Sequence, residues 1–136
     1  MNAIIFDRVN TLEKAEDTLE NHIQLLLDYA NKNNYNVIKT MRFYRGGYTN
    51  SDEYIKNLKD MIEYNSIDIL LIYDISRMGR KMDVVIDFLN YALDKKVVVF
   101  GVSANIDYTK QYEQTFKDFF DKYKNNSFIL KNAHTS

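Results

Sequence analysis

Four short apolar runs, each followed by a segment of helical spacing, place the strongest constraint on the fold of this chain. The apolar runs are predicted strands and cover residues 3–6, 35–41, 67–73 and 96–102. The predicted helices cover residues 15–32, about 51–65, 82–94 and 111–124. Strands that alternate with helices are typical of a parallel sheet covered by helices. We therefore predict an α/β fold with a mostly parallel central sheet of four to five strands and helices on both faces.

Composition limits the kind of protein this is. The chain has 136 residues, 46% of them hydrophobic, which suffices for one domain with a real core. We expect this domain to span residues 1–125, followed by a polar tail over residues 126–136, with no separate DNA-binding domain. The sequence has no cysteine, only two histidines and no run long enough to span a membrane. We therefore expect a cytoplasmic protein without a metal site, a cofactor or a membrane partner.

The turn after the third predicted strand carries the clearest functional signal. It places Arg77 and Arg80 three residues apart, directly beyond a run that reads as a strand buried on both faces. The chain has five arginines, each placed after one of the first three predicted strands: Arg8, Arg42, Arg45, Arg77 and Arg80. Open α/β sheets bind ligands beyond the carboxyl ends of their strands, and guanidinium groups suit phosphate and carboxylate. The pattern predicts an anionic-ligand site where these arginines converge.

Two other readings of the residues remain open. Gly46 and Gly47 beside the arginines fit a binder of small phosphorylated ligands, although no strand is followed by a glycine-rich phosphate motif. An aromatic stripe in the last predicted helix either covers the sheet or forms a dimer surface. The stripe consists of Tyr112, Phe116, Phe119, Phe120 and Tyr123. If the stripe forms a dimer surface, the chain is an interaction or dimerisation module without catalysis.

Several segments resemble the catalytic domain of the serine recombinases, the resolvases and DNA invertases. Residues 76–80, Ser-Arg-Met-Gly-Arg, are similar to the arginine-bearing turn of that family. Residues 6–11 are similar to its first-strand motif, aromatic-x-Arg-Val-Ser-Thr, and residues 19–23 to its first-helix signature. Residues 98–107 resemble its fourth strand and the following loop. The resemblance covers about residues 3–107 and implies a resolvase-like three-layer sandwich.

The resemblance implies a chemistry and also a defect in it. In that family a serine attacks a DNA phosphodiester, and arginines bind the scissile phosphate and stabilise its charge. Arg8, Arg77 and Arg80 match these arginines, and Arg45 is a candidate for a further phosphate contact. Asn10, however, stands at the position of the nucleophilic serine. Because an amide cannot form the phosphoester, we expect a DNA-binding pseudoenzyme, of the kind a mobile element could carry, that is inactive by the family mechanism.

Other departures leave an active enzyme open as an alternative. His22 stands where the family has glutamine, and Ser76 replaces an acidic residue. Ser76 and Ser103 are candidate replacement hydroxyls, with His22 as a candidate base, although a surface or semi-buried histidine is the simpler reading. The expected partners are DNA and a second subunit. That subunit is another copy of the chain or a related recombinase, bound through the helix over residues 111–124.

Overall fold

The structure is a computed structural model that describes residues 1–9, 15–44, 51–79 and 81–117. The elements in chain order are β1 (Asn2–Val9), α1 (Ala15–Lys32), β2 (Asn36–Tyr44), α2 (Ser51–Tyr64), β3 (Ile69–Ile72), a 3-10 turn (Ile75–Met78), α3 (Met82–Asp94), β4 (Val98–Gly101), β5 (Ile106–Asp107) and α4 (Tyr108–Tyr112). A π-helical turn (Glu113–Lys117) continues α4.

The strands form one five-stranded sheet in the order β2-β1-β3-β4-β5. β1 pairs in parallel with both β2 and β3, and β3 pairs in parallel with β4. The short β5 is antiparallel to β4. The predicted α/β fold with a mostly parallel sheet of four to five strands is thereby confirmed.

Each face of the sheet is covered by helices because successive side chains of a strand point to opposite faces. Ala3 and Ile5 of β1 pack with Leu19, Ile23 and other apolar residues of α1. The alternate β1 residues, Ile4 and Phe6, pack in a second cluster with residues of α2, α3 and α4. β1 and β3 are thus buried between two layers, which explains their nearly continuous apolar sequences.

Two helices end at residues with positive φ. Asn34 follows α1 with φ 59°, and the Tyr35 amide donates to the Ala30 carbonyl at 2.8 Å. Lys96 follows α3 with φ 60°, and the Val97 amide donates to the Ala92 carbonyl at 2.8 Å. A left-handed residue just past a helix lets the following amide satisfy a carbonyl of the last turn. The predicted bounds of α1 and α3 are confirmed.

Other predicted bounds were wrong in ways that matter for the site. β1 and β2 extend further than the apolar runs, so Arg8 and Arg42 lie inside strands rather than after them. Their backbones continue the ladder, with Arg8 opposite Phe43, because hydrogen bonding between parallel strands does not require apolar side chains.

The predicted start of the last helix at residue 111 was also wrong. The segment before it contains β5, and α4 begins at Tyr108 because the Asp107 side chain accepts from the Lys110 amide at 3.0 Å and caps it. Of the aromatic stripe, Tyr112 is buried in the core that α2 and α3 cover. Its members Phe119, Phe120 and Tyr123 lie outside the described residues, and no side chain is described for Phe116.

Candidate functional site

The order of the strands reverses beside the end of β1. The chain goes from β1 outward to β2 and then returns past β1 to β3, so the connections on the two sides of β1 run in opposite directions. α1 and α2, which make these connections, lie on opposite faces of the sheet. Ligands of doubly wound sheets bind at such a reversal, beyond the carboxyl ends of the strands. Val9 and Ile72 are the last residues of the two strands concerned.

Residues 74–79, here called the arginine turn, follow β3 at this edge. The Asp74 side chain accepts from the Ser76 amide at 3.0 Å and also contacts the Ser76 hydroxyl, which starts the 3-10 turn. Gly79 ends the turn with φ 141° and ψ 169°, a region almost restricted to glycine. Met78 is buried, which anchors the turn in the core.

Arg8 and Arg77 hold each other through their backbones. The Arg8 Nε donates to the Arg77 carbonyl at 3.3 Å, and the Arg77 Nη1 donates to the Arg8 carbonyl at 3.1 Å. The end of β1 and the arginine turn are therefore linked by two hydrogen bonds with charged donors, although both are longer than the short bonds typical of charged donors. Two residues 69 positions apart in sequence thus become neighbours at the predicted edge.

The two guanidinium groups lie towards different layers of the fold. Arg8 lies over the ring of Tyr54 of α2, 5.4 Å from its centroid. Arg77 lies 5.4 Å from the ring centroid of Tyr73 and approaches Asp7, which precedes Arg8 in β1 and so points to the opposite face. Both aromatic contacts are within the range of cation–π attraction. The side chain of Arg77 is 24% exposed, whereas Arg8 is buried.

Tyr54 connects α2 to the arginine turn. Its ring is fully buried between Phe6 and Phe43, with centroid distances of 5.6 and 5.8 Å. Its hydroxyl donates to the Met78 carbonyl at 3.1 Å. One side chain of α2 therefore contacts both Arg8 and the backbone that carries Arg77.

Asp7 and His22 form a buried pair that the sequence analysis did not anticipate. Asp7 is completely buried, and its Oδ2 lies 2.7 Å from Nδ1 of His22, which is also buried. The His22 ring stacks on Tyr73 with a centroid distance of 3.7 Å. Burial raises the pKa of Asp7 above its ordinary value, and His22 and Arg77 oppose that rise by favouring the carboxylate. The one available signal was an acidic residue inside an otherwise apolar strand.

The predicted site residues fall into three groups. The structure brings Arg8 and Arg77 together. Arg42 is held in an ion pair, with its Nε 2.8 Å from Oε1 of Glu20, and the convergence of all five arginines stays a prediction. Arg42 points this way because it pairs with Asp7 in the ladder and faces α1. Asn10, Arg45 and Arg80 lie outside the described residues.

The candidate hydroxyls occupy different settings. Ser76 is exposed, and its hydroxyl contacts the Asp74 carboxylate that caps the turn. Ser103 is exposed in the turn after β4, and its amide donates to the Tyr73 carbonyl at 3.0 Å. In the described ranges, no three or more acidic, histidine or cysteine side chains form a group able to hold a metal ion. None of the described helices is long and apolar enough to cross a membrane.

The family is decided by a match over most of the chain. Residues 3–125 match the family model described as "Resolvase, N terminal domain". The chain belongs to the resolvase N-terminal domain family. The resemblance predicted from residues 6–11, 19–23 and 76–80 is thereby confirmed. No curated protein sequence matches this resolvase domain.

Solved structures share the fold of this resolvase domain at low sequence identity. A resolvase family site-specific recombinase from Streptococcus pneumoniae superposes with a TM-score of 0.70 at 15% identity, over 99% of this chain and 95% of that one. The N-terminal catalytic domain of TP901-1 integrase gives 0.68 at 16% identity, over the full length of both chains. The C-terminal catalytic domain of ISC1926 TnpA, an IS607-like serine recombinase, gives 0.65 at 24% identity, over 75% of this chain and 67% of that one. These similarities establish the fold.

Proposed function

We propose that this resolvase domain binds DNA through phosphate contacts of Arg8 and Arg77 and does not cleave it by the serine mechanism. The observation that carries this proposal is the reciprocal link between the two arginines at the reversal point of the sheet. Arg45 and Arg80, which lie outside the described residues, are proposed to contribute further phosphate contacts. The loss of cleavage is proposed because Asn10, by the resemblance to the first-strand motif of the family, stands at the position of the nucleophile.

The electrostatics favour a local rather than a general attraction to DNA. The formal net charge of the chain is −1, so the molecule as a whole does not attract a polyanion. Arg77 has its Nη1 fixed by the Arg8 carbonyl, which orients the guanidinium before any ligand arrives. A preoriented and partly exposed guanidinium loses little side-chain freedom when it binds a phosphate.

The first test is duplex-DNA binding by fluorescence anisotropy over a series of salt concentrations. The double variant Arg77→Gln, Arg80→Gln removes two proposed phosphate contacts. We expect weaker binding and a plot of log K against log salt that flattens by about two units, since each phosphate contact contributes about 0.9.

The matched control is Lys56→Gln, Lys59→Gln, which removes the same charge from α2. We expect this variant to keep the salt slope of the parent chain. If both double variants flatten the plot of log K against log salt equally, DNA binding depends only on the net charge of the chain, and the proposed arginine site is wrong.

The second test concerns cleavage. The parent chain is incubated with supercoiled plasmid and then denatured, so that any covalent protein–DNA adduct is retained. We expect neither nicking nor an adduct, and we expect Asn10→Ser to restore little activity because His22 and Ser76 also differ from the family pattern. An adduct formed by the parent chain would identify it as an active enzyme that uses another hydroxyl.

An apolar groove favours a second candidate function, self-association. The groove has a volume of about 290 Å³ and lies between α3 and α4, lined by residues that include Val85, Ile86, Leu89 and Tyr112. Met82 at its border is 71% exposed. We propose that a second copy of the chain covers this groove, and we expect Met82→Glu to shift a dimer to monomer in sedimentation velocity. A parent chain that stays monomeric at high concentration would exclude this function.

A further inference from the structure

Asp7, His22 and Arg77 form a chain of three ionisable groups inside the proposed phosphate site. Oδ2 of Asp7 faces His22 at 2.7 Å, whereas its Oδ1 faces Nε of Arg77 at 3.9 Å. The second distance is an ion-pair distance and is too long for a hydrogen bond. Asp7 thus joins a titratable ring on one side to a proposed phosphate ligand on the other.

The contact between Asp7 and Arg77 is incomplete. Among the described residues, Oδ1 of Asp7 and Nε of Arg77 are buried, and neither has a hydrogen-bond partner. A buried donor and a buried acceptor that face each other without bonding are costly and uncommon. While its Nη1 stays bonded to the Arg8 carbonyl, the guanidinium has two alternatives for its other donors: a closer approach to Asp7, or contact with an external anion.

Within the described ranges, several elements supply charged and titratable groups around Asp7, His22 and Arg77. The segment after β3 supplies Tyr73, stacked on His22, and the arginine turn supplies Arg77 and Asp74, with Oδ1 of Asp74 3.9 Å from Nε of Arg77. β2 supplies Arg42, which faces the same side as Asp7 and pairs with Glu20 of α1. The Arg42–Glu20 ion pair is exposed, and its two charges cancel. Of the described residues, Asp7 and Asp74 are therefore the groups that compete with an external anion for Arg77.

We propose that Asp7 and His22 are positioning residues that set the availability of Arg77 to DNA phosphate according to the proton on His22. With a neutral ring, the Asp7–His22 pair carries one negative charge and attracts the guanidinium inward. When the ring takes up a proton from solvent, the pair becomes neutral overall and its attraction for Arg77 falls. The guanidinium is then released to the phosphate, and DNA binding tightens as the pH falls.

This inference rests on the proposed DNA-binding function and adds a proton dependence to it. Histidine is the side chain that ordinarily changes charge between pH 5 and 8, whereas DNA phosphates remain ionised throughout that range. A unit change in the charge of the Asp7–His22 pair about 6 Å from the Arg77 guanidinium, at an effective dielectric constant of about 40, weakens the inward attraction on Arg77 by an amount that corresponds to roughly a tenfold change in affinity. The expected increase in affinity between pH 8 and pH 5.5 is therefore about tenfold.

The test compares duplex-DNA affinity at pH 8 and pH 5.5 in the parent chain, His22→Gln and His134→Gln. Glutamine keeps a hydrogen-bonding group at position 22 but does not titrate, and His134 is the only other histidine in the sequence. We expect the parent chain and His134→Gln to bind about tenfold more tightly at pH 5.5 and His22→Gln to lose this gain. An unchanged pH response in His22→Gln would overturn the inference.

A variant of the arginine separates release of Arg77 from simple added charge. If protonation acts by releasing Arg77, Arg77→Gln loses most of the pH response while still binding DNA weakly. If Arg77→Gln keeps the full response, the proton acts on DNA directly and the positioning role is wrong. If DNA binding at pH 8 depends on Arg77 but the pH response is the same in the parent chain and in His22→Gln, this inference is wrong and the proposed function is left intact.

A second measurement does not require DNA. The Nε–H resonances of the five arginines are recorded by nuclear magnetic resonance between pH 5.5 and 8, with Arg77 assigned from an Arg77→Lys variant. We expect the Arg77 resonance to shift with pH in the parent chain and to stay constant in His22→Gln. A constant Arg77 resonance in the parent chain would overturn the coupling. Absence of DNA binding together with a shifting resonance would instead reject the proposed function, and with it the control of phosphate binding.

Discussion

Replacing Tyr54 by phenylalanine removes a single hydroxyl that connects α2 to the arginine turn. The ring stays in place between Phe6 and Phe43, and its face towards Arg8 is retained, so the packing contribution hardly changes. The variant leaves the Met78 carbonyl without the bond it receives at 3.1 Å from a fully buried side chain. An unsatisfied buried acceptor costs about 1–3 kcal/mol.

Urea denaturation measures this cost. For a slope of about 2 kcal/mol per molar urea, a loss of about 1–3 kcal/mol lowers the midpoint by about 0.5–1.5 M. The matched control is Tyr64→Phe on the same helix, because Tyr64 is 85% exposed and loses a solvated hydroxyl. We expect this control to change stability by less than about 0.5 kcal/mol. Equal midpoints for the two variants would refute the anchoring role of Tyr54.

Three further predictions follow from the same region. Gly79→Ala is expected to destabilise the fold by about 1–3 kcal/mol in urea denaturation, because φ is 141° and the added Cβ would lie 3.3 Å from the Tyr54 hydroxyl; an unchanged midpoint would contradict this. Burial raises the folded-state pKa of Asp7 above 3.8, so folding favours its protonated form. The free energy of unfolding of the parent chain, measured relative to that of Asp7→Asn, should therefore fall as the pH rises from about 4 through that raised pKa. If the difference in the free energy of unfolding between the parent chain and Asp7→Asn stays constant with pH, Asp7 does not carry that burial penalty. Arg42→Gln breaks an exposed ion pair and should cost no more than about 1 kcal/mol by thermal or urea denaturation, so a larger loss would show that Arg42 has a structural role.

Periodicity in the sequence was enough to predict the layers of the fold. The bounds of α1 and α3 were predicted correctly because a regular apolar stripe runs along each helix and stops where the helix ends. Strand ends were harder to predict, since the ladder of β1 continues through Asp7 and Arg8 although the apolar run has ended. Hydropathy reports which side chains are buried in a core, but backbone pairing depends on the neighbouring strand.

The proximity of Arg8 and Arg77 was predicted correctly, whereas their role in binding phosphate stays a prediction. The pairing of Arg8 with Arg77 followed from the rule that ligands bind beyond parallel strands, because both residues lie at neighbouring strand ends. The Asp7–His22 pair did not follow, since its partners are 15 residues apart on a strand and a helix whose relative rotation the sequence leaves undetermined. A histidine at helical spacing among leucines gives no indication of which strand residue it will face.

Consecutive residues of β1 contact both helical layers, so the two arginines are reached from opposite faces of the sheet. Substitutions in α1 reach Arg77 by way of Asp7, whereas substitutions in α2 reach Arg8 by way of Tyr54. Because each guanidinium also donates to the backbone of the other arginine, a change on either face of the sheet reaches both. Evolution, or a designer, would therefore have to adjust the two side chains as a pair.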